Sequence, residues 1–140
     1  MQKLIFILVI SFFCSVKAQE KIASYTEVSV NGQEGMSDKA SFQMLGDKRY
    51  KSIIKDFECR FKNNNNNGYS DYYRLYGIDG SVTNVKGLSV YLIPKSIVSE
   101  GNKRKKEYRV IGDKRTLWTY YDLKTKKIYK IRPSSIFPDL

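Results

Sequence analysis

Turn-forming residues interrupt this chain so often that little room is left for long regular elements. Asn31-Gly32, Gly46-Asp47, Asp79-Gly80, Lys86-Gly87 and Gly112-Asp113 separate runs rich in β-branched and aromatic residues. Glycine and asparagine supply the positive-φ positions that tight turns need, and on that ground 31–35 reads as a loop. Between these punctuation points the runs at 22–30, 40–45, 49–61, 72–78, 81–85, 88–93, 107–111, 117–122 and 128–132 read as strands. Spacings of roughly 8–12 residues are those of an antiparallel sandwich or barrel. In 49–61, Ile53, Phe57, Cys59 and Phe61 share one parity and Ser52, Asp56, Glu58 and Arg60 the other, the period-two signature of a strand. Asp79-Gly80 between two β-rich runs signals a hairpin, and Pro94 ends the strand before it. The expected fold is therefore mainly β: a small antiparallel barrel or sandwich of eight to nine short strands, with at most one short helix, compatible with 95–100. The competing architecture is an α+β domain in which part of 41–61 is helical. The asparagine run at 63–67 reads as a surface loop.

The N-terminus has a separate reading. Lys3 precedes an apolar stretch from Leu4 to Cys14 broken by Ser11, and Val16-Lys17-Ala18 supplies a small-x-small end. That is the layout of a secretory signal peptide, 1–18, cleaved after Ala18. The stretch falls short of the roughly 20 residues that cross a bilayer. A lipoprotein signal cut before Cys14 is the rival, disfavoured by the bulky Phe12 and Phe13. The expectation is a secreted or periplasmic protein with no transmembrane span and one domain, 19–140, ending in an irregular tail at 133–140. A chain of this size buries about 65% of its unfolded surface. Once Cys14 is removed, Cys59 is the only cysteine, so no intrachain disulfide forms; its parity reads as a buried thiol.

Charge then narrows function. The chain carries 25 basic and 14 acidic residues, +11 net, and no histidine. Between 19 and 85 the charges balance; between 86 and 132 fourteen bases meet only Glu100, Glu107, Asp113 and Asp122. A concentrated positive region attracts polyanions through long-range Coulomb forces that salt weakens. Tyr108, Trp118, Tyr120, Tyr121 and Tyr129 lie among these charges, and rings beside cations can stack on sugars or bases. The candidate polyanion-binding residues are Lys103, Arg104, Lys105, Lys106, Arg109, Trp118, Lys124, Lys126, Lys127 and Lys130. Export turns the expected partner away from intracellular nucleic acid and toward an acidic polysaccharide, a lipid phosphate or an acidic protein. Lysines on sheet edges also deter aggregation, so a purely solvated basic face is the plain alternative.

Catalytic signals are weak. Without histidine, Cys59 lacks its ordinary activating partner. Asp56 and Glu58 read as neighbours about 7 Å apart on the outward side of one strand, a solvated pair. Ser52-Ile53-Ile54-Lys55 matches Ser-x-x-Lys without the companion motifs of penicillin-binding enzymes. No phosphate loop, calcium loop or paired-cysteine metal motif is present. The expectation is a non-catalytic binding protein with no cofactor and no metal. A structural or assembly protein of the cell envelope, working through protein–protein or homo-oligomer contacts, is the second reading.

Overall fold

The structure is a computed structural model and describes residues 25–65, 69–101 and 114–134. The expected signal peptide, the strand at 107–111 and the end of the tail lie outside the described residues. The molecule is mainly β, a six-stranded mixed sheet in the order β1-β2-β3-β4-β5-β6. Its strands are β1 (Tyr25–Val30), β2 (Gln33–Asp38), β3 (Tyr72–Gly80), β4 (Val85–Pro94), β5 (Leu117–Asp122) and β6 (Arg132–Pro133). Every neighbouring pair is antiparallel except β2 and β3, which run parallel with Gly35 opposite Arg74 and Ser37 opposite Tyr76. A parallel pair needs a long crossover, and helices α1 (Lys39–Leu45) and α2 (Asp47–Asn64) provide it.

Four expectations are corrected here. The sheet does not close into a barrel: β1 and β6 are its two ends, and six strands, not eight or nine, are formed among the described residues. The segments 40–45 and 49–61 are helices, so the expectation of at most one short helix fails and the helical alternative for 41–61 is what forms. Tyr50, Ile54, Phe57 and Phe61 lie four, three and four residues apart, and each is at most 2% exposed. That is a helical stripe. The period-two reading shared Phe57 and Phe61 with it but left out Tyr50 and Ile54. Cys59, predicted buried, is exposed on the helix's outer side. Finally, Lys86-Gly87 is not a turn but lies within β4, and the β3–β4 connection is made by Ser81 and Asn84, which exchange backbone hydrogen bonds of 3.1 Å.

Local chemistry explains the helices' boundaries. The Asp38 carboxylate accepts from the amides of Ala40 and Ser41 at 3.1 Å, capping α1. Gly46, at φ 79° and ψ 151°, ends α1 and starts α2 in a conformation that side chains disfavour. Asn31 and Gly32 are both at positive φ, as the tight β1–β2 turn requires.

The helices cover one face of the sheet. The α2 stripe packs there with Tyr76, Leu88, Val90, Leu92 and Tyr121. Alternation sends Tyr73, Leu75 and Ile93 to the opposite face, where they bury with Tyr25 and Met36 against Ile97 and Val98. Among the described residues no helix is long and apolar enough to cross a membrane.

Candidate functional site

Of the ten residues singled out in the sequence, Lys103, Arg104, Lys105, Lys106 and Arg109 lie outside the described residues. The other five fall on β5 and the segment joining it to β6. Lys124, Lys126, Lys127 and Lys130 are all exposed and Trp118 is partly buried. Lys114 and Arg115, just before β5, and Arg132, opposite Trp118 in the β5–β6 register, are exposed as well. β5 has six residues, a length of about 17 Å. Basic side chains therefore bracket this end of the sheet: Lys114, Arg115 and Arg132 at the start of β5, Lys124, Lys126 and Lys127 past its end.

The single acid in 114–134 is used to shape the turn. Asp122 Oδ1 accepts from the amides of Lys124 and Thr125, each at 2.8 Å. These backbone bonds, Thr125's foremost, hold its carboxyl below the usual range. Lys126 is also committed. Its Nζ pairs with Asp56 Oδ2 of α2 at 3.0 Å and lies 5.7 Å from the Tyr121 ring centre, on the helix side of the sheet. Lys114, Lys124, Lys127, Lys130 and Arg132 form no ion pair among the described residues.

Trp118 does not share a face with Lys126. Tyr121 meets Phe57 of α2, so alternation points Trp118 and Tyr120 to the face away from the helices. Trp118, Tyr120 and Tyr129 form a row there, with centroid separations of 6.4 and 5.7 Å. The row is held in place: Trp118 Nε1 donates to Ser89 Oγ at 2.9 Å and Tyr120 Oη to Asp79 Oδ2 at 2.9 Å. A Cβ on Gly87 would stand 2.3 Å from the Tyr120 ring, so glycine is what lets the ring lie over β4. Burial first, then the bond to Asp79, pushes the Tyr120 hydroxyl up to about 12. Lys127 Nζ stands 5.7 Å from the centre of Tyr129, itself 45% exposed, so one cation meets the row at its outer end.

A second feature was missed in the sequence. Arg74 is the third residue of β3, its side chain 3% exposed and facing Glu58 of α2 at 7%. Its Nε donates to Glu58 Oε1 at 2.9 Å, and its Nη1 donates to the carbonyls of Tyr69 and Tyr72 at 3.1 and 3.0 Å. Tyr76 Oη donates to the same Glu58 oxygen at 2.8 Å. The guanidinium lies 5.4 Å from the Phe61 ring centre. Gly35 permits this: a Cβ there would meet the Arg74 carbonyl, the Arg74 Cβ and the Tyr76 ring, all at 2.8 Å. The pair forms the floor of a cleft of about 720 Å³. Its walls are the C-terminal half of α2, the β1–β2 turn and the segment entering β3, with Lys95 beyond β4. The clue available in the sequence is a charged residue inside the run Tyr72-Tyr73-Arg74-Leu75-Tyr76, where a buried strand should carry none without a partner.

The carboxylates read as a surface pair thus diverge. Glu58 points inward to Arg74. Burial alone would raise the Asp56 carboxyl, but donors from Tyr121, Lys126 and Arg60 outweigh it and hold the group at about 2. An acid so firmly ionised is a poor proton donor at neutral pH. Ser52 and Lys55 do fall on a helix, but both are exposed on its outer face. Among the described residues no three acidic, cysteine or histidine side chains gather as a metal site. Compared with protein-family models, curated proteins and solved structures, the chain matches none.

Proposed function

We propose that this chain is an exported, non-catalytic binding protein that holds an acidic partner at the basic β5–β6 end of its sheet. One observation carries the reading. Residues 114–134 expose seven basic side chains against one acid, and that acid is spent on its own turn. Lys126 is paired with Asp56 of α2, and the excess of cations that remains at one end of the molecule raises the local concentration of polyanions. The row Trp118, Tyr120 and Tyr129 beside Lys127 offers flat surfaces to sugar rings, which favours an acidic polysaccharide over a lipid phosphate or an acidic protein. Binding should appear as retention on a heparin resin that falls steeply with salt. The variant Lys124→Ala/Lys127→Ala/Lys130→Ala should elute at clearly lower salt; retention indifferent to salt, or unchanged in the variant, refutes the proposal.

The envelope-assembly reading draws on a different observation: the outer edge of β1 has no strand partner among the described residues. An open edge can take up a strand from another chain. A stable oligomer on size-exclusion chromatography at micromolar concentration would favour it.

A further inference from the structure

We propose that the cleft floored by Glu58 and Arg74 binds a small acidic sugar of the uronate type, at a site separate from the basic β5–β6 end. Size admits it, since about 720 Å³ lies within the roughly 300–1,000 Å³ of ligand-holding pockets. The lining is unusual in being mostly polar: Asn31, Gln33, Asn63 and Ser70 border it with few apolar neighbours, the Gln33 Nε2 donating to the Tyr72 carbonyl at 2.6 Å. Such a wall suits a ligand rich in hydroxyl groups and repels an aliphatic one, whose burial would strand the amides of Asn31 and Asn63 without partners. Apolar contact is left to Tyr69, whose half-buried ring lies 5.5 Å from the buried Phe61 ring and gives its exposed part to the C–H face of a sugar ring.

Charge selects the acid. The floor is neutral because Arg74 is paired with Glu58. Above it, Lys62 and Lys95 are exposed and stand against Asp71 alone, and neither lysine forms an ion pair among the described residues. Arg74 adds direction. Of its two Nη2 hydrogens one reaches Glu58 Oε2 at 3.5 Å, and the other has no acceptor among the described residues. A carboxylate drawn to the lysines and hydroxyls bonded to the amides would satisfy this wall. The floor is also rigid, since Arg74 is tied to α2, to two backbone carbonyls and to the Phe61 ring, so little ordering entropy is lost on binding.

The test is a titration of the isotopically labelled protein with glucuronate, followed by amide NMR shifts, with glucose and inorganic phosphate as parallel arms. Saturable shifts confined to the amides of Gln33, Cys59, Lys62, Tyr69 and Asp71 are expected, with a dissociation constant of about 1 mM or tighter. Lys62→Ala/Lys95→Ala should weaken binding at least about fivefold while its spectrum stays folded, and Lys127→Ala should leave it unchanged. Shifts that stay linear in added sugar, equal response to glucose, or indifference to the double substitution overturn the proposal. Equal affinity for phosphate marks a bare anion site and overturns the sugar assignment. Neither failure alters heparin retention, and loss of heparin retention leaves this titration intact, so the two sites stand or fall separately.

Discussion

Removing Glu58 should be among the most damaging single changes in this molecule. Its side chain and that of Arg74 are 7% and 3% exposed, so neither charge can turn to water when the other is lost. Glu58→Leu leaves the Arg74 Nε and the Tyr76 hydroxyl without the oxygen they share. Breaking one side of a buried pair costs about 3–5 kcal/mol. The carbonyls of Tyr69 and Tyr72 still accept from Nη1 and keep the loss toward the lower end of that range. Glu58→Gln retains the shape and one acceptor, and should cost about 2–3 kcal/mol, the worth of a hydrogen bond to a charged group. Against a total stability of roughly 5–15 kcal/mol, either loss shifts a urea midpoint measurably. Trp118, the sole tryptophan, reports the transition by its fluorescence. The double variant Glu58→Leu/Arg74→Met removes both charges together and should cost less than the two singles summed, by about 2 kcal/mol or more. Added salt should change none of these differences much, because a buried pair is poorly screened. A Glu58→Leu loss under about 1 kcal/mol, or singles that simply add, refutes the clamp.

Three further outcomes follow from the same geometry. The Asp56 carboxyl, held at about 2 against an ordinary 3.8, binds its proton less readily folded than unfolded. Its stabilisation is therefore present above about pH 4 and lost as pH falls toward 2. A third of the side chain still meets solvent, so Asp56→Asn should cost only about 1 kcal/mol near pH 6 and nothing near pH 2; equal loss at both, read from urea midpoints, contradicts this. Gly87→Ala should drive the Tyr120 ring off β4, costing about 1–3 kcal/mol and lowering the raised phenol titration seen by ultraviolet absorbance; an unchanged titration counts against the fixed ring row. Gly46→Ala should cost about 1–3 kcal/mol, since φ 79° with ψ 151° is nearly confined to glycine; a neutral result in thermal melts would show a different α1–α2 junction.

What could be read from the chain depended on whether the signal was local. In the loop read at 31–35, Asn31-Gly32 specified the turn because both residues tolerate positive φ, and the structure has both there, but Gln33, Glu34 and Gly35 belong to β2. The sheet's existence and the strands at 72–78, 88–93 and 117–122 followed from β-branched and aromatic density. The 49–61 segment misled because Phe57 and Phe61 fit both a period of two and a period of 3.6. The deciding residues were Tyr50 and Ile54, whose burial depends on a sheet formed elsewhere. Lys86-Gly87 misled for a related reason: that glycine serves a ring contributed by β5, 33 residues on, and not a local turn. The basic end was legible from composition, yet its division by face was not, since Lys126 is claimed by Asp56 across 70 residues. The Arg74–Glu58 pair was visible only as a charge out of place.

The most direct test of the central claim is the salt dependence of binding to a sulfated oligosaccharide, read from Trp118 fluorescence. The account predicts saturable binding that alters the emission and an affinity that falls linearly on logarithmic axes as salt rises. The slope should be shallower in Lys124→Ala/Lys127→Ala/Lys130→Ala than in the parent. An affinity flat across salt, or an identical slope in both proteins, would contradict a function seated at the β5–β6 end.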